Sequence, residues 1–478
     1  MSLAQDVLNA IAEGLGEFTL PAGDVVLDDP LIIPAGTRNF ALRGVQTVLR
    51  PQFDGPAIRV GSWPQLHNNW MITGDRNVKV IIQPKHGAQS LTVEENVEPG
   101  WAVLWDTHKI VCAKIDDPNN VPVSMNHAEL VCVVSCSGGV AYLKEPIGRE
   151  FVGDVYLLPE YQVCENIEVS DISCDSAYRG GMLQVGLSTG VSLHNLEAIH
   201  FTSDAISLNT CKSVQVSGCR VSSAKPGGAG SGYGFSCYRS RRVFYTNCRG
   251  SGCRHSFMFH SGSMDCQCYV CAAENGFDLH GYDERRIALY RCTGDGGDIG
   301  NDAWLGGAKD VLVKSCSFME NFGIHANAEG VRCVDSSFNC VRFFSVEDSW
   351  EGANPRLGWP SRVRFDRCGI SLLEFGARSL GKIEWHGCKF SRGSTIADIA
   401  GQDFSELYIK QCTFEAPLDQ IVQLRECSPA AYVFLIDCAF KTAGAVAVWV
   451  ASSYRGHATT EGCSLDGPGV LVKDDRQG

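Results

Sequence analysis

Apolar and polar residues alternate along this chain in short runs, and most runs end in the same way. Three alternating apolar positions are followed by Cys and then by a small or aromatic residue. The phrase appears as VQVSGCRV at Cys219, VFYTNCRG at Cys248, IALYRCTG at Cys292 and VLVKSCSF at Cys316. It returns as VRFDRCGI at Cys368, IEWHGCKF at Cys388, LYIKQCTF at Cys412 and VFLIDCAF at Cys438, with Cys271 and Cys463 in shorter versions. In VRCVDSSF the position is held by Ser336. Successive Cys lie mostly 20 to 29 residues apart, with wider gaps where loop sequence such as SWEGANPRLGWP intervenes. A fixed period of this size is the signature of a repeat architecture.

A second phrase falls between the first: DAISLN, YGFSCY, HSFMFH, NGFDLH, DAWLGG and GIHANA. Each alternates with the period of a strand and is too short for a helix. Gly, Asn, Asp and Ser fill the joins. One coil of such strands cannot bury its apolar side alone, so the coils must stack. Like residues then form ladders along the axis, and the Cys column is one that points inward.

This pattern resembles the right-handed parallel β-helix of the pectate-lyase superfamily and of bacteriophage tailspikes. The resemblance covers roughly residues 16–65 and 160–470 and implies an all-β, single-stranded right-handed parallel β-helix. Residues 1–15 read as an N-terminal helix, with Leu3, Val7 and Ile11 on one face to cap the open core. Residues 16–83 form the first coils, broken by Pro-Ala-Gly turns. Residues 84–158 lose the period, and WAVLWD, AELVCVVSC and GGVAYLKEPI read as a small inserted β-subdomain. The main β-helix is expected over 159–470, with a polar tail at 471–478.

Charge is uneven along the repeats. No acidic residue lies between Asp204 and Asp265, a stretch that holds Lys212, Arg220, Lys225, Arg239, Arg241, Arg242, Arg249 and Arg254. The stretch 265–310 is rich in Asp and Glu. A basic belt beside an acidic one reads either as a groove for an anionic ligand next to a carboxylate centre, or as charge pairing between coils.

Aligning the second phrase on Phe235, Phe257 and Phe277 places Tyr238, His260 and His280 in one outward column. Ser236, Met258 and Asp278 fall in another, and Tyr233, His255 and Asn275 in a third. Asp278, His280, His260, Tyr233 and Asp298 are the candidate catalytic groups. Arg239, Arg242, Tyr238, His255 and Arg285 are the candidate substrate-binding groups. Such a strip suits chemistry on a uronic acid, with an arginine on the sugar carboxylate and an imidazole or tyrosinate as base. NGFDLH is also similar to the Tyr-Gly-Phe-Asp-Pro-His motif of alginate epimerases and related β-helix lyases. Gly276, Phe277, Asp278 and His280 match; Asn275 stands where that family has its Tyr, leaving Tyr233 or Tyr282 to take its place, and Leu279 stands for the Pro. A hydrolase needs instead two carboxyls within about 10 Å, which Asp278 offers with Asp295, Asp298 or Asp302. The Gly-rich segment GDGGDIGND that carries these acids also reads as a plain turn. Cys266, Cys268 and Cys271 have a metal-like spacing, but Cys271 belongs to the core ladder, so no metal and no cofactor are expected.

Composition narrows the classes. The 478 residues are 44% apolar and 20% charged, which excludes a disordered chain, a coiled coil and collagen. Length alone allows about three domains, a prior that repeat folds break. A net charge of −13 argues against nucleic acid as a partner, and AVAVWVA is too short to insert in a membrane. MSLAQDVLNAIAEGLG carries no ordinary secretory signal. The 23 Cys are then expected as reduced, buried residues, with the odd number leaving at least one unpaired within the chain. The resemblance implies a virion-associated tailspike, a homotrimer that binds a bacterial surface polysaccharide and, as a lyase or glycoside hydrolase, degrades it. Its place is then the virion tail or neck, with other virion proteins as partners. Two alternatives stand beside it: an extracellular bacterial polysaccharide lyase or C5-epimerase acting on uronic acids, and a structural virion protein cross-linked by cysteines.

Overall fold

A computed structural model describes residues 2–477 except 64–65, 68–70, 73–75, 109, 112–123, 160, 226–230, 280, 282, 301–306, 326, 345–359, 377–380, 392–393, 397–404, 416–419, 425–430, 442–445, 451, 453 and 468–469. The chain is all-β, a parallel β-solenoid consistent with a right-handed parallel β-helix, preceded by one short helix. It divides into two compact units, Met1–Asn275 and Gly276–Gly478.

In the first unit the helix Leu3–Ala12 starts at Ser2, whose side chain accepts a hydrogen bond from the backbone N–H of Gln5. Its buried Val7 and Ala10 face the strand Leu31–Ile33. The long strand Arg38–Pro51 pairs in parallel with Cys164–Asp175, Glu168 opposite Ala41 and Val169 opposite Leu42. Adjacent coils are thus joined across more than a hundred intervening residues, and the chain leaves the solenoid to build a second sheet.

That sheet has six strands in the order Val78–Val80, Val155–Leu158, Gly100–Asp106, Ala128–Ser137, Val140–Leu143 and Ser90–Thr92. The pairings are antiparallel. Ala102 and Leu104 join one buried cluster; Val103 and Trp105 join another with Val163 and Leu187 of the coils. Both sheet faces are therefore covered, which explains why WAVLW reads as a continuous apolar run rather than an alternating one.

The following coils have three strands each. Ile206–Asn209, Lys212–Ser217 and Arg220–Ser222 stack on Tyr233–Tyr238, Arg241–Thr246 and Arg249–Ser251. Val191, Val214 and Val243 form one inward column, and Leu193, Val216, Tyr245 and Cys268 another. In the second unit the columns are aromatic: Phe390, Phe414 and Phe440 stack at centroid distances of 4.6 and 4.9 Å with nearly parallel rings.

The Cys phrase marks a corner of the coil. The residue before Cys248, Cys292, Cys316, Cys368, Cys412 and Cys438 has φ between +51° and +56°. Left-handed backbone turns the chain sharply, at a cost of about 1–2 kcal/mol for a non-glycine residue. The thiol that follows folds under the corner toward the carbonyl two residues back: Cys248 to Thr246 at 3.4 Å, Cys412 to Lys410 at 3.2 Å. Ser336 does the same to Val334 at 2.9 Å, so the rung needs a small side chain with a proton to donate. The Cys among the described residues are free thiols. We expect Cys412→Ser to cost no more than about 1.5 kcal/mol, because the hydroxyl inherits the carbonyl partner. Cys412→Leu should cost about 1–3 kcal/mol by overpacking. Urea unfolding midpoints of the two variants test this, and a larger loss for the serine would refute it.

Candidate functional site

The candidate residues fall in both units. In the first, Tyr233 lies opposite His255, Ser236 opposite Met258 and Tyr238 opposite His260, with the inward Phe235 opposite Phe257. The Tyr233 and His255 rings stack with centroids 5.5 Å apart, and the Arg254 guanidinium lies 5.8 Å from the Tyr233 centroid. Tyr238 and His260 are tilted at 5.7 Å, and His260 Nδ1 lies 2.7 Å from Ser261 Oγ. These outward residues are largely covered: Tyr233, Tyr238 and Met258 form a buried apolar cluster.

A carboxyl that sequence reasoning passed over sits in this strip. Ile206 lies opposite Phe235, so Asp204, two residues earlier, falls in the column of Tyr233. Asp204 Oδ2 accepts hydrogen bonds from Ser236 at 2.6 Å, Tyr238 at 3.0 Å and Ser207 at 3.3 Å. Burial pushes its carboxyl up to about 6 against these three donors. Burial, and then the neighbouring Asp204, holds the Tyr238 hydroxyl well above its usual range. Tyr238 is therefore a neutral donor at pH 7, not a tyrosinate base.

Asp204 gives a pH prediction. Its folded value lies above its unfolded one, so its contribution to stability is fully present below about pH 4 and is lost as pH rises through about 6. Relative to Asp204→Asn, the native protein should lose roughly 2–3 kcal/mol between about pH 4 and pH 7.5. Denaturant titrations at the two pH values measure the difference; equal losses in both proteins would refute it.

The basic belt has partners. Arg241 contacts Glu129 at 2.5 Å and Asp265 at 2.9 Å. Glu145 receives Arg242 at 2.6 Å and Lys212 at 3.2 Å. Glu129 and Glu145 belong to the inserted region, so Lys212, Arg241 and Arg242 of the acid-free stretch receive this chain's own carboxylates. Arg239 occupies a corner with φ of +49° and is 1% exposed.

In the second unit Asp278 lies on Phe277–Leu279, directly opposite Asp298 on Gly297–Ile299. The segment that also read as a turn is thus a strand where it carries Asp298. Phe277, Leu279 and Ile299 are fully buried, so the two aspartates share the opposite, outward face. Neighbouring strands lie about 4.8 Å apart. The environments differ: Asp278 is 3% exposed, while the Asp298 side chain is 48% exposed and lies 2.9 Å from His325 Nε2. His325 was visible only as part of GIHANA, without a role. Arg285 is engaged with Asp283 at 2.7 Å. His280, Tyr282 and Asp302 lie outside the described residues, as does nearly all of DAWLGG.

No family model matches the sequence, and no curated protein matches it. Solved structures match in fold. The tailspike gp61 of Pseudomonas phage phi297 superposes with a TM-score of 0.53 at 14% identity, over 90% of this chain and 72% of that one. The Gp54 tailspike of Acinetobacter baumannii bacteriophage AP22, solved in complex with A. baumannii capsular saccharide, gives 0.48 at 11% identity, over 91% and 74%. At 14% identity the likeness to gp61 is one of fold alone.

Proposed function

We propose that this protein binds a bacterial surface polysaccharide and hydrolyses it, as a tailspike-like, virion-associated homotrimer. The observation that carries the hydrolytic reading is the Asp278–Asp298 pair, two carboxylates in register on one outward face. Strands about 4.8 Å apart bring the two side chains within the reach of a glycosidase pair, and carboxyls about 5 Å apart are those of glycosidases that retain configuration. Asp298, exposed and held by His325, attacks the anomeric carbon while Asp278 protonates the leaving oxygen. A glycosyl ester forms on Asp298 as the glycosidic bond breaks. Asp278, now a carboxylate, takes a proton from water, which displaces the ester and regenerates both groups.

The uronate reading finds less support. Of the arginines that would neutralise a sugar carboxylate, Arg242 and Arg285 are already paired with Glu145 and Asp283, and Arg239 is buried. The test is turnover on a panel of bacterial capsules, O-antigens and uronates, following reducing ends and the ultraviolet absorbance of unsaturated uronate. Reducing ends without the absorbance support hydrolysis; the two together support a lyase and overturn it. Sedimentation equilibrium reads the trimer.

A further inference from the structure

We infer that the first unit carries a second, non-catalytic saccharide subsite, a cleft between the inserted six-stranded sheet and the first coils that takes a neutral sugar chain. The inference rests on the polysaccharide reading above. The cleft has a volume of about 510 Å³ and is lined by Trp101 and Tyr161, with Arg38, Glu98 and Gln162 among its other walls. A second cleft of about 210 Å³ shares Trp101 and extends along the coils past Asn166 and Thr189. The size lies in the range of small-molecule sites.

The chemistry of the walls identifies the ligand. Trp101 and Tyr161 are only partly buried and pack at the edge of the cluster formed by Val103, Trp105 and Leu130. Their backbones are tied together, Tyr161 N–H donating to the Trp101 carbonyl at 3.1 Å. Rigid aromatic side chains held this way offer apolar surface to the C–H face of a pyranose at little entropic cost. Glu98 and Gln162 are exposed at the rim and present oxygen acceptors and an amide donor to ring hydroxyls. Gly36, with φ of +83°, keeps the floor free of a side chain. The charges select against an acidic sugar. Arg38 is held by Glu165 at 3.0 Å, and the other ionised group in the wall is Glu98. A uronate carboxylate would meet Glu98 in the main cleft, where the cation present, Arg38, is already paired; the extension carries Lys144 and the Lys212–Glu145 pair, so the neutral class is assigned to the main cleft alone.

The test uses the full chain carrying Asp278→Asn, so that ligand is not consumed. A glycan array of neutral and acidic bacterial saccharides identifies binders, and titration calorimetry measures them. A neutral saccharide should bind, and Trp101→Ala should weaken it about 10-fold. Because Trp101 also packs on the sheet, the rim variant Glu98→Ala/Gln162→Ala provides the second reading, with about a 5-fold loss expected. Neutral-saccharide binding unchanged in both variants overturns the cleft and leaves the polysaccharide reading standing. Acidic saccharides alone binding through these residues overturns the neutral class. A chain that binds no saccharide overturns the polysaccharide reading, and the cleft falls with it.

Discussion

Asp278→Asn is expected to lower turnover of the cleaved polysaccharide by about 100- to 10,000-fold, the scale of losing a positioned proton donor. The amide keeps the shape of the carboxyl, so the strand register with Gly297–Ile299 should survive, and circular dichroism and melting should be unchanged. Asp298→Asn should lose at least as much, since an amide cannot form the glycosyl ester. The two variants separate on an aryl glycoside with an acidic leaving group. Such a group needs no protonation, so Asp278→Asn should regain much of its rate there, whereas Asp298→Asn should stay inactive. His325→Ala touches the reaction only through Asp298. It should cost about 10-fold in kcat, without the leaving-group dependence. Wild-type turnover in Asp278→Asn, or identical leaving-group behaviour in the two aspartate variants, would remove the pair from the mechanism.

The repeat was legible because it is local. Phe235 over Phe257, Ser236 over Met258 and Tyr238 over His260 follow from aligning one phrase upon the next, and the register has these pairs. The Cys column was legible for the same reason. What sequence could not reveal is what lies on top of a coil. Glu129 and Arg241 are 112 residues apart, and no period connects them. Read along the chain, the basic stretch between Asp204 and Asp265 offered either an anion groove or pairing between coils; in space Lys212, Arg241 and Arg242 meet Glu145 and Glu129 of the inserted region. Asp204 was hidden differently. It stands at the head of DAISLN, in phase with Tyr233, but its three hydroxyl donors come from two coils, and only their convergence distinguishes it from a solvated turn residue. Asp278 and Asp298 were both readable as candidates. Choosing Asp298 over Asp295 required the register, which Gly-rich sequence does not specify.

The same inserted sheet supplies the largest expected effect on stability. Arg241→Met should destabilise the first unit by about 3–5 kcal/mol, because it leaves Glu129 buried without its counter-ion. Glu129 is 2% exposed, and its two oxygens accept from the Gly148 backbone N–H at 3.1 and 2.9 Å. One amide does not compensate a buried carboxylate. Arg241 is itself nearly buried, and its guanidinium also donates to the Pro146 carbonyl at 2.8 Å, so it ties the sheet to the coil at two points. A stability contribution from the pair itself is not implied: exchanging both ions for neutral groups is often harmless. The double variant Glu129→Gln/Arg241→Met should therefore recover most of the loss, which a mere packing defect at residue 241 would not. Differential scanning calorimetry of the single and double variants reads the cycle. Limited proteolysis should show earlier cutting of the inserted region in Arg241→Met alone. Equal destabilisation of single and double variants would mean that Glu129 and Arg241 are not coupled, and the docking account of the basic belt would have to be given up.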